Sequence, residues 1–324
     1  MKQKFTNPYI KNIRRGLLDV IRWQLGYYDD ILPIAQPPKD FRYPMVEQNL
    51  DQSKPKVTWI NHCTFLIEVE GVRILTDPIW SKRCSPFKLF GPKRRHNPAI
   101  DLSDLPKIDI ILISHNHYDH LDEETVKKLN KLHPEIQWIV PKGVKKWFRK
   151  RKIHKVKELS WWEKTQFKLD ALDSQMVITS VPTQHYSGRG LFDMNKTLWM
   201  GHVVEFFREK DLTKCLYFVG DTAYNPFDFK KIKEKVSPID LCLCPIGTYK
   251  PGRFMQTVHA SPDDAVKIHC DVEASLTLGM HWKTFQLSSE GLNQPPHDLY
   301  FEMTKRSLNP LRFLAIEPGV TINW

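Results

Sequence analysis

A single stretch, residues 108–121, reads IDIILISHNHYDHL and constrains the fold more than any other part of the chain. Its first seven residues are mostly apolar and β-branched, which predicts a buried strand. In α/β folds, the chemistry lies in the loops that follow such strands. Four side chains that bind metals come directly after it: His115, His117, Asp119 and His120. A polar turn would explain one histidine but not this cluster, so the spacing predicts a metal site.

Three further apolar runs, at residues 176–182, 215–219 and 275–280, each precede one good metal ligand. These ligands are His185, Asp221 and His281. Any one of them alone is as readily a core histidine or a turn aspartate. Together with the first motif they form two ligand sets, which are His115, His117 and His185, and Asp119, His120 and His281. Asp221 is expected to bridge two metals about 3.5–4 Å apart, the geometry used for phosphoester hydrolysis.

These motifs resemble those of the metallo-β-lactamase superfamily, and more closely those of its zinc phospholipases D that hydrolyse N-acylphosphatidylethanolamine. The superfamily carries His-x-His-x-Asp-His and then His, Asp and His in this order. The phospholipase branch is indicated by HASPDDAVKIHCDV at residues 259–272 and MHWKTF at residues 280–285. Similar shorter segments, such as LTDP at 75–78 and PIGTY at 245–249, extend the resemblance over most of residues 43–296.

The resemblance implies an α/β (α+β) fold, the αββα sandwich, with two mixed sheets between outer helices. Two Zn²⁺ ions are the implied cofactors. The implied reaction converts a phospholipid substrate, N-acylphosphatidylethanolamine, into an N-acylethanolamine and phosphatidic acid. A nuclease or nucleotide phosphodiesterase on the same fold is the alternative, and a lactonase is a third. The apolar N-terminal segment and the ten tryptophans favour lipid, so we expect no nucleic-acid partner.

Individual roles follow from this implied reaction. Asp221 is expected to bridge the metals and Asp119 to orient the attacking water. His62 and His259 are candidates for contacting the substrate phosphate or protonating the leaving alkoxide, with a structural role open for either. The catalytic candidates are thus Asp119, Asp221 and His259. Val258 stands where the family has glutamine, so we expect looser discrimination at the head group.

The N-terminal half also contains local signals of structure. Residues 57–60, 64–69 and 72–75 predict a strand meander, with Glu70 and Gly71 in a turn. Asp77 follows the last of these strands, and it is either a turn residue before a proline or the carboxylate that holds a ligand imidazole. Further along, Ser261 and the Pro-Asp-Asp after it predict a well-capped helix start.

The chain divides into an N-terminal segment, residues 1–50, and a catalytic domain, residues 51–324. No Gly/Ser linker interrupts the domain between its first and last predicted ligands. The N-terminal segment predicts an amphipathic helix and then a proline-rich connector packed on the core. The apolar stripe of this helix would suit either a membrane surface or the core. It consists of Ile10, Ile13, Leu17, Ile21 and Leu25.

The net charge of +11 is concentrated at residues 142–157, which hold nine Lys or Arg and no acidic residue. Val144, Trp147 and Phe148 predict a short helix there with a basic outer face. Solvent, anionic lipid and nucleic acid all remain open as its partner. No apolar run is long enough to span a membrane, and residues 1–10 lack a signal-peptide core.

The expectation is therefore a cytoplasmic protein that associates peripherally with an anionic membrane surface, and a homodimer is left open. Six cysteines without a C-x-x-C pair predict reduced, mostly buried thiols.

Overall fold

A computed structural model describes residues 4–10, 37–45, 50–169, 173–190 and 192–324. The predicted amphipathic helix and the start of its connector fall on residues 11–36, outside the described residues. The described residues on either side, 4–10 and 37–45, both contact the rest of the chain. Asn7 donates a 2.8 Å hydrogen bond to the His185 carbonyl, and the Tyr43 hydroxyl donates a 2.5 Å bond to the Phe313 carbonyl. The division at residue 50 stays a prediction.

Fourteen strands among the described residues form two mixed sheets of seven strands each. The strands of the first sheet are β1 (Lys56–Asn61), β2 (Thr64–Val69), β3 (Val72–Thr76), β4 (Ile110–Leu112), β5 (Gln137–Pro141), β6 (Val156–Leu159) and β14 (Thr321–Asn323). Their order is β14-β1-β2-β3-β4-β5-β6. The pairs from β14 to β3 are antiparallel, and those from β3 to β6 are parallel.

The second sheet repeats this arrangement. Its strands are β7 (Lys164–Lys168), β8 (Ser174–Val181), β9 (Gly201–Arg208), β10 (Asp211–Phe218), β11 (Leu241–Pro245), β12 (Leu276–Met280) and β13 (Phe313–Leu314). They lie in the order β13-β12-β11-β10-β9-β8-β7. The pairs from β7 to β10 are antiparallel and those from β10 to β13 are parallel, so β8, β10 and β12 all run in the same direction.

Helices cover the outer faces of both sheets. The helices of the described residues are α1 (Glu123–Leu132), α2 (Lys145–Arg149), α3 (Asp228–Lys235), α4 (Gly252–Met255), α5 (Pro262–Val272) and α6 (Gln294–Lys305). Apolar residues of α1 and α2 pack with the first sheet, and those of α3, α5 and α6 pack with the second. The expected αββα sandwich is therefore confirmed. Within the described ranges, no helix is long and apolar enough to cross a bilayer.

Alternation along the strands builds the core. In β1, Trp59 belongs to the large apolar cluster that joins the two sheets, whereas the next residue, Ile60, belongs to the cluster under α1 and α2. Successive strand side chains point to opposite faces, so a strand covered on both sides must be apolar throughout. Each fully buried large apolar side chain contributes about 1.5–3 kcal/mol. This apolar content makes the sandwich a rigid support for the loops at its edges.

Several local predictions are confirmed. Glu70 and Gly71 both have positive φ, as a two-residue hairpin turn between β2 and β3 requires. At the start of α5, Ser261 and Asp264 form a reciprocal capping box. The basic run contains α2, with Phe148 buried. All six cysteines are unpaired, and five of them are buried.

Candidate metal centre

Loops at one edge of the sandwich bring the predicted ligands together. His185 follows β8, Asp221 follows β10 and His281 follows β12, so all three lie at the carboxyl ends of strands with a common direction. The loop after β4 in the other sheet supplies His115, His117, Asp119 and His120. Ligand atoms of the first set lie within 4.8 Å of one another, as do those of the second set together with Asp221.

Three imidazoles meet in the first set. His115 Nε2 lies 2.8 Å from His117 Nδ1, which lies 3.2 Å from His185 Nε2. Burial lowers the pKa of His117 to about 3 and that of His185 to about 4, and it holds the pKa of His115 well below its usual range. The three rings are therefore neutral, the state in which imidazole nitrogen coordinates a cation.

The second set places two imidazoles against two carboxylates. His120 Nε2 lies 3.3 Å from Asp119 Oδ2 and 3.2 Å from Asp221 Oδ2. His281 Nε2 lies 3.5 Å from Asp119 Oδ2 and 3.1 Å from Asp221 Oδ2. Burial alone would raise the pKa of Asp221, but His120 and His281 outweigh it and hold that pKa well below its usual range. Burial would likewise lower the pKa of His281, but Asp221 and Asp119 raise it to about 9.

Asp221 connects the two sets. Its Oδ2 atom, already close to His120 and His281, also lies 3.8 Å from His185 Nε2. Among the predicted ligands, three buried atoms lack a hydrogen-bond partner: Asp221 Oδ1, His120 Nε2 and His281 Nε2. Buried polar atoms are rarely left unpaired. A donor set of imidazoles and carboxylates with such orphaned atoms fits two cations that share Asp221.

Outer partners hold the rings in place. Four of the five ligand histidines contact an outer oxygen through Nδ1, which leaves Nε2 facing inward, whereas His117 turns Nδ1 inward. These contacts are Asp77 Oδ2 for His120 (2.7 Å), Ser114 Oγ for His115 (2.9 Å), the Val258 carbonyl for His185 (2.8 Å) and Thr248 Oγ1 for His281 (3.0 Å). This is the usual surrounding of metal-binding histidines. Asp77 thus lies where a supporting carboxylate was predicted.

His62 and His259 lie on different sides of this centre. His62 is buried behind Asp119, with its Nε2 atom 3.0 Å from Asp119 Oδ2 and its ring 4.2 Å from that of His281. This placement fits a role in positioning Asp119, and the substrate contact predicted for His62 stays a prediction. His259 instead lines the cavity above the centre, with its Nδ1 atom 3.8 Å from Asp221 Oδ2.

A cavity of about 450 Å³ opens above the centre. Its polar lining includes His117, Asp119 and Asp221 at the floor and His259 on the wall. Most of its walls are apolar or aromatic, and they include Tyr118, Tyr186, Met194, Phe254, Met255 and Leu287. Apolar walls around a few convergent polar groups are typical of a binding site for a partly apolar ligand.

Replacing Asp77 should weaken the second set without emptying the first. Asp77 accepts hydrogen bonds from the Ser114 amide (2.7 Å) and hydroxyl, and it holds His120. In Asp77→Asn the charge is lost, so we expect metal affinity or activity to fall about 10–100-fold. Chelator competition on the purified variant measures this loss. Asp240→Asn is the matched control, since Asp240 also accepts a backbone bond, from Cys215, away from the centre. Equal behaviour of the two variants would contradict this role.

Comparison with known proteins agrees with the fold. The model of the beta-lactamase superfamily domain matches residues 72–282. N-acyl-phosphatidylethanolamine-hydrolyzing phospholipase D 1 of Caenorhabditis elegans is 38% identical over 269 residues, covering 81% of this chain and 74% of that protein. The mitochondrial enzyme of that name from Saccharomyces cerevisiae is 38% identical over 256 residues, or 78% of this chain. The match spans about half of the yeast protein, 53%.

A solved structure gives the same fold. Isothiocyanate hydrolase from Delia radicum gut bacteria aligns with a TM-score of 0.63 at 16% identity, covering 83% of this chain and 99% of that one. The αββα sandwich and its edge of histidines and aspartates therefore define a metal-dependent hydrolase. The chain belongs to the metallo-β-lactamase superfamily, in the branch that contains the N-acyl-phosphatidylethanolamine-hydrolyzing phospholipases D.

Proposed function

We propose that this protein is a binuclear zinc phosphodiesterase that hydrolyses N-acylphosphatidylethanolamine to an N-acylethanolamine and phosphatidic acid. One observation carries the proposal: Asp221 Oδ2 lies between two ligand sets at the floor of a cavity with apolar walls. This arrangement suits an anionic phosphodiester attached to acyl chains. The names of the worm and yeast relatives support the same substrate.

The proposed ligands of one Zn²⁺ are His115, His117 and His185, and those of the other are Asp119, His120 and His281, with Asp221 between them. A set this rich in imidazole suits zinc. When bound, such ions would lower the pKa of a water well below its usual range, to about 7, and would neutralise charge on the phosphate oxygens. The protein's own contribution is to hold these ligands at a fixed separation through their outer partners.

Other side chains orient the reactants. Asp119 is 14% exposed at the cavity floor, and its Oδ2 atom is held from behind by His62. An ionised carboxylate there accepts a hydrogen bond from the attacking water and directs its lone pair at phosphorus. His259 lies on the cavity wall, where its ring donates a hydrogen bond to the phosphate or to the leaving oxygen. The apolar wall residues exclude water from the acyl chains.

Heavy-oxygen water tests which bond breaks. In the proposed reaction, water oxygen joins phosphorus, the bond from phosphorus to the N-acylethanolamine oxygen breaks, and that oxygen takes up a proton. Turnover of N-acylphosphatidylethanolamine in labelled water should therefore place the label in the phosphate of phosphatidic acid, detected by mass spectrometry. Label in a released fatty acid would instead mean hydrolysis of an acyl bond, and it would overturn the assignment.

A nuclease or nucleotide phosphodiesterase is the second candidate, because residues 142–157 give this protein an excess of positive charge. Parallel assays on phospholipid, RNA, a cyclic nucleotide and a lactone separate the candidates. Rapid cleavage of RNA or the nucleotide, with no turnover of phospholipid, would transfer the assignment. Val258, which stands where the resemblance leads us to expect glutamine, lines the cavity beside His259. Without the amide of that glutamine the site should discriminate less strictly between head groups. We therefore also expect measurable cleavage of free phosphatidylethanolamine.

We also propose peripheral association with anionic membranes. The N-terminal segment and the basic run are the elements that the sequence favours for it. Attraction to anionic lipid amounts to about 1 kcal/mol per nearby Lys or Arg and is screened by salt. Vesicle binding should therefore increase with phosphatidylserine content and decrease as salt rises.

A further inference from the structure

Residues 82–94, which we call the rim loop, carry an exposed apolar tip. Phe87, Leu89 and Phe90 are 64%, 77% and 73% exposed, and only Phe192, at 85%, is more exposed among the large apolar side chains described. Scattered apolar side chains are normal on a protein surface. Three of them within four residues form an apolar patch at one point of the surface, which indicates an interaction site.

The base of the rim loop is firmly held. The Cys84 amide donates to the Pro92 carbonyl (3.2 Å), and the Arg94 amide donates to the Lys82 carbonyl (2.8 Å). The buried Arg94 guanidinium also donates to the carbonyls of Ile79 (2.8 Å) and Ser81 (3.2 Å). The fold therefore holds the base in a defined place and leaves the tip projecting from it.

The rim loop lies beside the catalytic cavity. Cys84, at its base, lines that cavity. Phe87 and Lys88 line an adjoining groove of about 730 Å³ together with Tyr118, which lines the cavity too. Arg189 borders the same groove, and it belongs to the neighbouring loop that carries Phe192. The exposed Phe87 of the rim loop thus lies in a groove that adjoins the cavity.

The positive charge around the rim loop indicates which kind of partner its exposed tip binds. Residues 78–100 contain six Lys or Arg and no acidic residue. The acidic side chains on the adjoining groove already have partners: Glu123 pairs with Arg151 and Lys127, Glu124 with Lys128, and Asp122 with Ser81. The basic run at 142–157 continues this surface, since Arg189 lies 5.6 Å over the Trp147 ring.

An apolar loop tip surrounded by basic residues is complementary to a bilayer with anionic head groups. A second copy of the chain fits less well, because a two-fold contact through the tip would bring two basic surfaces together.

We propose that the rim loop inserts Phe87, Leu89 and Phe90 into an anionic lipid surface, while its Lys and Arg residues contact the head groups. The cavity beside the loop then opens against the membrane. This inference rests on the proposed function for its meaning, since a lipid hydrolase needs such an orientation. It is tested without turnover, on lipids that are not the proposed substrate, so the two proposals can fail separately.

Vesicle sedimentation of the full chain tests the insertion. The vesicles are phosphatidylcholine with 30% phosphatidylserine (about a third anionic lipid, enough to attract basic residues), compared with phosphatidylcholine alone. Each inserted side chain is expected to strengthen binding about tenfold. F87S/L89S/F90S should therefore weaken binding about a thousandfold, the product of three such losses. Phe301→Ser, which removes an exposed side chain on α6, is the matched control and should bind as the parent does.

A fluorescent label reports the depth of the tip directly. In a Cys270→Ser background, which removes the exposed native thiol, Leu89→Cys carries an environment-sensitive dye, and Phe301→Cys carries it in the control. We expect a blue shift on anionic vesicles at position 89 alone. Unchanged binding of the triple variant, or no shift at position 89 on bound vesicles, would overturn the proposal. So would a triple variant that loses a dimer but keeps its vesicle binding.

Insertion without phospholipid turnover would support the rim loop as a membrane contact and would remove the proposed reaction. A triple variant that binds vesicles normally and still hydrolyses lipid dispersed in detergent would support the proposed reaction. It would remove the rim loop as a membrane contact.

Discussion

His117→Ala and His120→Ala should each remove about one metal ion per chain and abolish phosphodiester hydrolysis, because a three-ligand site loses affinity when one ligand is lost. The two residues belong to different sets, which have Asp221 between them. Each substitution therefore leaves the other set with its own ligands and outer partners. A retained single ion would distinguish loss of one site from loss of the fold.

Elemental analysis of the purified proteins measures this directly, with the parent chain expected near two metals, as a binuclear hydrolase requires. His154→Ala, at an exposed histidine in the basic run, is the control and should keep both metals and full activity. A parent chain with one metal would contradict the binuclear assignment. Full activity in both ligand variants would contradict it as well.

The ligand positions were predictable because each follows an apolar strand. A buried strand that ends in a polar loop gives a local signal, and four such loops belonged to one centre. The hairpin turn at Glu70 and Gly71 and the capping box at Ser261 were predictable for the same reason, since a few neighbouring residues determine them. The pairing of strands into two sheets came from the resemblance, because periodicity alone does not distinguish one α/β layout from another.

The supports of the centre could not be read from the sequence in the same way. Ser114 and Thr248 are ordinary hydroxyl residues, and Val258 acts through its backbone carbonyl, so only tertiary packing brings them to the ligand rings. His62 and His259 were alternatives of equal standing, yet one lies behind Asp119 and the other on the cavity wall. Nothing in residue type separates these positions.

Backbone conformation is a further hidden property of the centre. His62, Asp77, Thr248 and His281 all have positive φ, which side chains other than glycine seldom adopt. Such conformations persist where the surrounding structure determines them, and they cluster at functional sites. The rim loop was hidden for a related reason: an aromatic residue in a loop is buried or exposed according to what packs against it.

Gly247→Ala should displace His281 and disrupt the second ligand set. A Cβ atom at Gly247 would lie 2.1 Å from the His281 carbonyl oxygen and 3.2 Å from the Trp282 Cα, and both of these are backbone atoms. The clash cannot be relieved by rotating a side chain. His281 must shift instead. The shift would move its ring away from the Thr248 hydroxyl, and its amide away from the His62 carbonyl that accepts a hydrogen bond from it (3.1 Å).

Overpacking of this kind costs about 1–3 kcal/mol or more. We therefore expect Gly247→Ala to lower the melting temperature by several degrees and to lose one metal per chain. Gly252→Ala is the matched control, because a Cβ atom at Gly252, the first residue of α4, would meet nothing within 4 Å. That variant should melt like the parent and keep both metals. If Gly247→Ala also kept both metals and the parental melting temperature, the close approach of Gly247 to His281 would not be what positions this ligand.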